Sequence, residues 1–147
     1  MDKQSIDGLG AELPFTEDEL FHLEKFPIFD MKSLKDIYGD TANFDEELQK
    51  LLPVFLSVLI EDLSLIQLKN AKNDWSQVEF LAHKMKGSCL YSGAQKLAVS
   101  CQYLERYLKN GHDRQKDQLV KQLIEVAEET RSVIKTWLQR PHENLLR

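Results

Sequence analysis

Phe80-Leu81-Ala82-His83-Lys84-Met85-Lys86-Gly87-Ser88-Cys89-Leu90-Tyr91-Ser92-Gly93-Ala94 is the stretch on which the reading of this chain turns. It predicts a helix from about Trp75 to Tyr91, with Asp74 placed to cap it and Gly93 to end it. At roughly 100° per residue, Val78, Leu81, Ala82, Met85 and Cys89 fall on one stripe, the expected core face. His83 then points almost directly away from that stripe, toward solvent.

One turn on from His83 sits Gly87, inside the helix, where glycine costs roughly 1 kcal/mol relative to alanine. A missing side chain beside the imidazole leaves room for a group on the ring, or for a partner's backbone to come close. Lys84 and Lys86 flank the same histidine with positive charge, and Phe80 and Leu90 lie outward above and below it. A solvent-facing histidine with a gap, two cations and an apolar rim reads as a docking site for an anionic group on a partner protein.

The pattern His-x-x-Lys-Gly-Ser followed by Gly-Ala-x-x-Leu, here His83 to Ser88 and Gly93 to Leu97, resembles the histidine phosphotransfer (HPt) domain family. The resemblance extends to Leu104-Glu105 downstream and more weakly to Leu51 through Asp74 upstream, covering about Phe29 to Leu138. It implies that His83 is reversibly phosphorylated on a ring nitrogen. It implies further that Lys86, Lys84 and Gly87 support or admit the phosphoryl group. The family often places Gln or Glu at the position of Glu105, within hydrogen-bonding reach of the ring. A carboxylate there holds one ring N–H and leaves the other nitrogen as nucleophile. Glu in place of Gln would also make the imidazole more basic, which bears on the transfer equilibrium. Phe80, Leu90 and Tyr91 form the candidate docking surface.

The implied partners are response-regulator receiver domains and a hybrid sensor histidine kinase. No bound cofactor is expected on this chain, because in this family the aspartate and the Mg²⁺ belong to the receiver. The implied role is that of a phosphocarrier in a multistep phosphorelay rather than an enzyme. A rival reading is a non-catalytic adaptor that uses the same bundle to bind a receiver or kinase without phosphorylation.

Composition agrees with a soluble single domain: 147 residues, 42% hydrophobic and 29% charged. A formal net charge of -5 builds no basic face, which argues against nucleic acid as the main partner. The longest apolar run, Leu51 to Ile60, is short for a bilayer and is interrupted by Pro53 and Ser57. No apolar signal core follows Met1, so a cytoplasmic protein without membrane attachment is expected. Cys89 and Cys101 are too few for a disulfide framework and read as small buried hydrophobes. His22, His83, His112 and His142 are scattered without metal-ligand spacing, so no metal site is expected. A Cys89–His83 dyad fails because the two lie roughly 120° apart around the helix.

Residues 1–26 read as an extension with one short helix, Glu17 to about Lys25. Thr16 and Glu19 form its capping box, with Phe15 and Leu20 set for a hydrophobic staple. The sequence leaves open whether this element packs on the rest or serves a partner. Residues 27–140 read as the HPt bundle and 141–147 as a tail. Asp30 is placed to cap a second short helix stopped by Gly39. A long helix comes next, from about Phe44 to Ala71, its core stripe running Leu48, Leu52, Phe55, Leu59, Leu63 and Ile66. Pro53 is expected to kink or divide it.

The next helix carries Ala94, Leu97, Cys101, Leu104 and Leu108. The last, from about Asp113 to Gln139, carries Leu119, Leu123, Val126, Thr130, Val133 and Trp137 and ends at Pro141. The fold class expected is all-α, an antiparallel up-and-down four-helix bundle with additional short N-terminal helices. The four stripes can satisfy one another, so a monomer is expected. Met1 and the capped N-terminal helix favour a free-standing protein, and the absence of a kinase ATP-binding motif argues against autophosphorylation.

Overall fold

The computed structural model describes residues 13–14, 16–39 and 41–140. Among them the secondary structure is entirely helical. A short 3-10 turn at Asp18–Phe21 leads to α1 (Met31–Tyr38), α2 (Phe44–Ala71), α3 (Trp75–Ser92), α4 (Gln95–Lys109) and α5 (Lys116–Gln139). Helices α2 to α5 pack each against its neighbour in sequence, and α5 closes back on α2. The α3–α4 hairpin makes the most extensive of these interfaces. Short connections leave antiparallel packing as the simplest route for each helix to bury its apolar stripe.

Local chemistry sets the helix ends. Asp30 accepts the Ser33 N–H at 3.2 Å and Asp74 accepts that of Gln77 at 3.3 Å, each cap worth about 1 kcal/mol. On α2, Leu48, Leu52, Phe55, Leu59, Leu63 and Ile66 are all buried, as their spacing predicts. Asp62 is buried with them, an acid inside the core stripe. Pro53 does not divide α2, which runs unbroken from Phe44 to Ala71. Its buried neighbours Leu52 and Phe55 anchor that stretch, so packing overrides the lost backbone hydrogen bond. By length and composition α2 is long and apolar enough to cross a membrane; here its buried stripe packs the bundle core.

Two expectations shift. On α5 the buried stripe turns to Ile134, leaving Val133 and Trp137 only partly covered; the Trp137 ring meets Phe29 edge-on at 5.9 Å. The helix begins at Lys116 rather than Asp113, because the Tyr107 hydroxyl accepts the Gln115 N–H at 2.8 Å and holds the turn open. Pro141 and the tail lie outside the described residues. Helix α4 is buried nearly all round, from Leu97 through Glu105 and again at Tyr107, so it is the central helix.

The N-terminal segment packs on that centre. The Thr16–Glu19 capping box forms, with Glu19 N–H on Thr16 Oγ1 at 3.3 Å and Thr16 N–H on Glu19 Oε1 at 3.2 Å. The box opens a 3-10 turn rather than an α-helix to Lys25. Leu20 inside the turn and Leu23 just beyond it are both buried. Gln122 donates to the Leu20 carbonyl at 3.0 Å, while Glu17 accepts from the Tyr107 hydroxyl at 2.8 Å and from Arg114. Phe15 of the expected staple lies outside the described residues.

Gly93 joins α1 to the α3–α4 turn. Its φ of 76° is left-handed, and its carbonyl accepts the Asp30 N–H at 2.7 Å. A Cβ here would sit 2.9 Å from Leu34 Cδ1 and 3.1 Å from the Asp30 carbonyl. Gly93→Ala therefore combines backbone strain with overpacking and should cost about 2–4 kcal/mol, read as a drop in the denaturation midpoint. A midpoint within experimental error of the wild type would show that Leu34 and the turn relax at no cost.

Candidate functional site

The α3–α4 hairpin sets His83 opposite Glu105. Burial of Val78, Leu81, Ala82, Met85 and Cys89 fixes the rotation of α3 and turns His83 outward, its side chain 64% exposed. Glu105 lies on the buried flank of α4, its side chain 4% exposed, and its Oε2 stands 3.0 Å from His83 Nδ1. An ionised carboxylate only accepts, so Nδ1 carries the proton and donates it to Glu105. Nε2 is left with its lone pair. The protein thus holds the ring by one nitrogen and presents the other as a nucleophile.

Four further groups complete the network. Lys86 Nζ donates to Glu105 Oε1 at 3.0 Å and to Gln102 Oε1 at 2.8 Å. Lys109 Nζ stands 3.7 Å from Glu105 Oε2 and 3.6 Å from Glu79 Oε2. Burial raises the Glu105 carboxyl, but the hydrogen bond and charge of Lys86, with His83 adding to them, bring it below the ordinary 4.5. Lying between two ammonium groups, the carboxylate puts less net negative charge on the imidazole than a lone glutamate would.

Lys84 is held on the opposite side. Its Nζ donates to Asp62 Oδ1 on α2 at 2.9 Å, rather than joining the His83–Glu105 cluster. The structure thus brings His83, Lys86 and Glu105 together and sends Lys84 to a different helix. Gly87 has nothing within 4 Å of where a Cβ would be, which removes close helix packing as the reason for a glycine. The space beside His83 is open.

Phe80 (58%), Leu90 (39%) and Tyr91 (63%) are exposed around this face. Helix α1 adds two residues that the sequence did not suggest, Ile37 and Tyr38, both exposed. The Tyr38 hydroxyl donates to the Tyr91 carbonyl at 2.8 Å, which fastens the end of α1 to the last turn of α3. The combined surface is an apolar rim beside an exposed imidazole.

The linear pattern also gave no place to Gln102, Lys109 and Asp62. Lys109 was detectable as the i+4 partner of Glu105. The partners of Asp62 and Gln102 carry no signal in the sequence, since only the register between helices reveals what they meet. The remaining histidines stand apart: His22 pairs with Asp18 at 3.4 Å, His112 lies against the Tyr107 ring, and His142 falls outside the described residues. No group of three or more His, Cys, Asp or Glu able to hold a metal occurs among the described residues. Cys89 and Cys101 are both free and buried. Burial, with Cys101 alongside, pushes the Cys89 thiol well up, which makes it inert.

Compared with known proteins, residues 50–140 match the family model described as the Hpt domain. The match includes His83, Lys86, Gly87, Glu105 and Lys109. No curated protein and no solved structure gives a match.

Proposed function

Because the chain belongs to the Hpt domain family, we propose that it accepts a phosphoryl group on His83 from a receiver-domain aspartate. It then passes that group to another receiver in a multistep phosphorelay. The observation that carries this reading is the Glu105-held imidazole: Nδ1 engaged at 3.0 Å, Nε2 free on a mostly exposed side chain.

In the forward step Nε2 attacks the phosphorus of the receiver's aspartyl phosphate. The N–P bond forms, the P–O bond breaks, and the electron pair returns to the aspartate carboxylate. The positive charge that develops on the ring is met at Nδ1 by Glu105. No proton has to leave Nε2, since that nitrogen carries none. The reverse sequence with a second receiver discharges the histidine. Mg²⁺ held by the receiver would neutralise the phosphoryl oxygens, and Lys86 and Lys109 are the cations this chain holds on the Glu105 side of the ring. Phosphoryl transfer is mostly positioning and charge stabilisation, so a rigid bundle presenting one nucleophile is a sufficient contribution. The protein acts as a phosphocarrier, with receivers and a hybrid sensor kinase as its partners.

Gly87 supports the same reading. With open space around it, Gly87→Ala should fold and gain up to about 1 kcal/mol of stability from helix propensity. The same methyl narrows the approach to His83, so single-turnover transfer from a phosphorylated receiver should slow by about tenfold. A variant both more stable and equally fast would show that the gap has no role in transfer.

The apolar rim is expected to carry docking. Phe80→Ala and Tyr91→Ala each remove an exposed aromatic and should leave the thermal midpoint unchanged. Each should weaken receiver binding by about 5- to 10-fold, the loss of somewhat more than 1 kcal/mol. Titration calorimetry against a receiver domain reads this directly, and unchanged affinity in both would place the docking surface elsewhere.

The reading as a whole is tested by mixing the protein with a radiolabelled, phosphorylated receiver and following the label. Transfer to an acid-labile, alkali-stable form on this chain supports it. Binding without any transfer, across several receivers and with the protein folded, favours the adaptor instead.

A further inference from the structure

Asp62 is 1% exposed and lies inside the α2 core stripe beside Leu59, Leu63 and Ile66. Its Oδ1 accepts from Lys84 Nζ at 2.9 Å, while its Oδ2 is buried without a hydrogen-bond partner. A carboxylate taken out of water is costly, and one left with half of its bonding capacity unused is more so. Lys84, half exposed, is the cation the structure gives it. Removing that cation would leave an uncompensated buried charge, which is strongly destabilising.

Lys84 is also the residue next to His83, and its charge would be drawn to a phosphoryl group there. The two attractions compete unequally. A phosphoryl group on an exposed ring is solvated and salt-screened, whereas Asp62 is 1% exposed and shielded from bulk solvent. The buried acid wins.

Resting on the phosphocarrier reading, we propose that Asp62 is a positioning residue that withholds Lys84 from the phosphoryl group on His83. The charged groups around the ring divide accordingly. Asp62 on α2 neutralises Lys84, while Glu105 on α4 holds Lys86 and Lys109, with Glu79 on α3 sharing the latter. Phospho-His83 then receives less cationic support than the two flanking lysines suggest, which keeps it a ready donor rather than a store.

The test uses the full chain, phosphorylated chemically with phosphoramidate, with the His83 signal assigned by its absence in His83→Gln. The midpoint of the phosphoryl group's second ionisation is read by ³¹P NMR. Asp62→Asn keeps the shape of the side chain and removes the charge that holds Lys84, leaving at most a neutral amide acceptor. An ion pair of ordinary exposed strength then stabilises the dianion about threefold, lowering the midpoint by roughly half a pH unit. The double variant D62N/K84M should return it to the wild-type value, and Lys84→Met alone should leave it unchanged while lowering thermal stability. An unchanged midpoint in Asp62→Asn would overturn the proposal. So would a raised midpoint in Lys84→Met, which would mean that Lys84 already serves the phosphoryl group. Where Lys84→Met does not fold, as judged by circular dichroism, the Asp62→Asn and double-variant comparison decides. Failure to take label from any receiver would instead defeat the relay reading and leave this measurement standing.

Discussion

His83→Gln should take up no label from a phosphorylated receiver, while folding and melting as the wild type does. The imidazole is 64% exposed and its ring lies outside the core, so a glutamine of similar length removes little packing. The loss of Nε2 removes the nucleophile the site presents. Gln accepts and donates hydrogen bonds but forms no N–P bond under these conditions. The expected change is from ready transfer to none, the largest effect any single substitution at this site should have. Parallel melts read by circular dichroism separate loss of chemistry from loss of fold. Label persisting on the variant would assign the reaction to a different residue.

Glu105 should show the second largest effect, and its two substitutions should part company. Glu105→Ala releases the ring at Nδ1 and leaves Lys86 and Lys109 without their common carboxylate. Loss of a buried pairing partner should cost about 3 kcal/mol, and a freely rotating ring should slow transfer about 100-fold. Glu105→Gln is milder because Gln102 already accepts from Lys86 at 2.8 Å. The new amide can aim its oxygen at His83 Nδ1 while Lys86 falls back on Gln102, so transfer should slow by no more than about tenfold. Removing that fallback in E105Q/Q102A should set Lys86 and His83 in competition for one oxygen and bring the rate near that of the alanine variant. Single-turnover kinetics rank the three. Equal rates for Glu105→Gln and Glu105→Ala would mean that charge, not orientation, is what Glu105 contributes.

Acid titration gives an independent check. Because the folded carboxyl lies below 4.5, its stabilising share is present above that value and is lost as pH falls through the folded value. The unfolding free energy of Glu105→Gln should therefore fall less steeply than that of the wild type below pH 4.5.

Much of this was legible in one dimension because helices advertise their periodicity. The stripe through Val78, Leu81, Ala82, Met85 and Cys89 sets the rotation of α3, and with it the outward aim of His83. Caps are equally local: Asp30, Asp74 and Gly93 act on backbone groups within a few residues. Where the reading failed, the deciding partner was remote in sequence. Nothing near Asp62 indicates that it meets Lys84, 22 residues on, although its place three after Leu59 and four before Ile66 puts it on the core stripe while Glu61 beside it is exposed. Likewise, the N-terminal capping box suggested a short helix to about Lys25, but the chain makes only a 3-10 turn at Asp18–Phe21, where Leu20 is buried and its carbonyl accepts from Gln122 of α5. The start of α5 moved for the same kind of reason, a hydroxyl from Tyr107 claiming the Gln115 amide.

The ion pairs around His83 also bear on how a partner finds this face. Asp62, Glu79 and Glu105 are matched by Lys84, Lys86 and Lys109 at separations of 2.9 to 3.7 Å. Those separations are well inside the Debye length of about 8 Å at physiological salt, so the fields cancel before they reach far into solution. What an approaching molecule senses at long range is the net charge of -5 of the whole chain, not the lysines of the motif. Electrostatic steering toward this face is therefore weak, and on the docking surface proposed above recognition would be decided on contact, by the fit of Phe80, Leu90 and Tyr91. Choice among related partners that rests on shape in this way holds steady when the surrounding salt rises or falls.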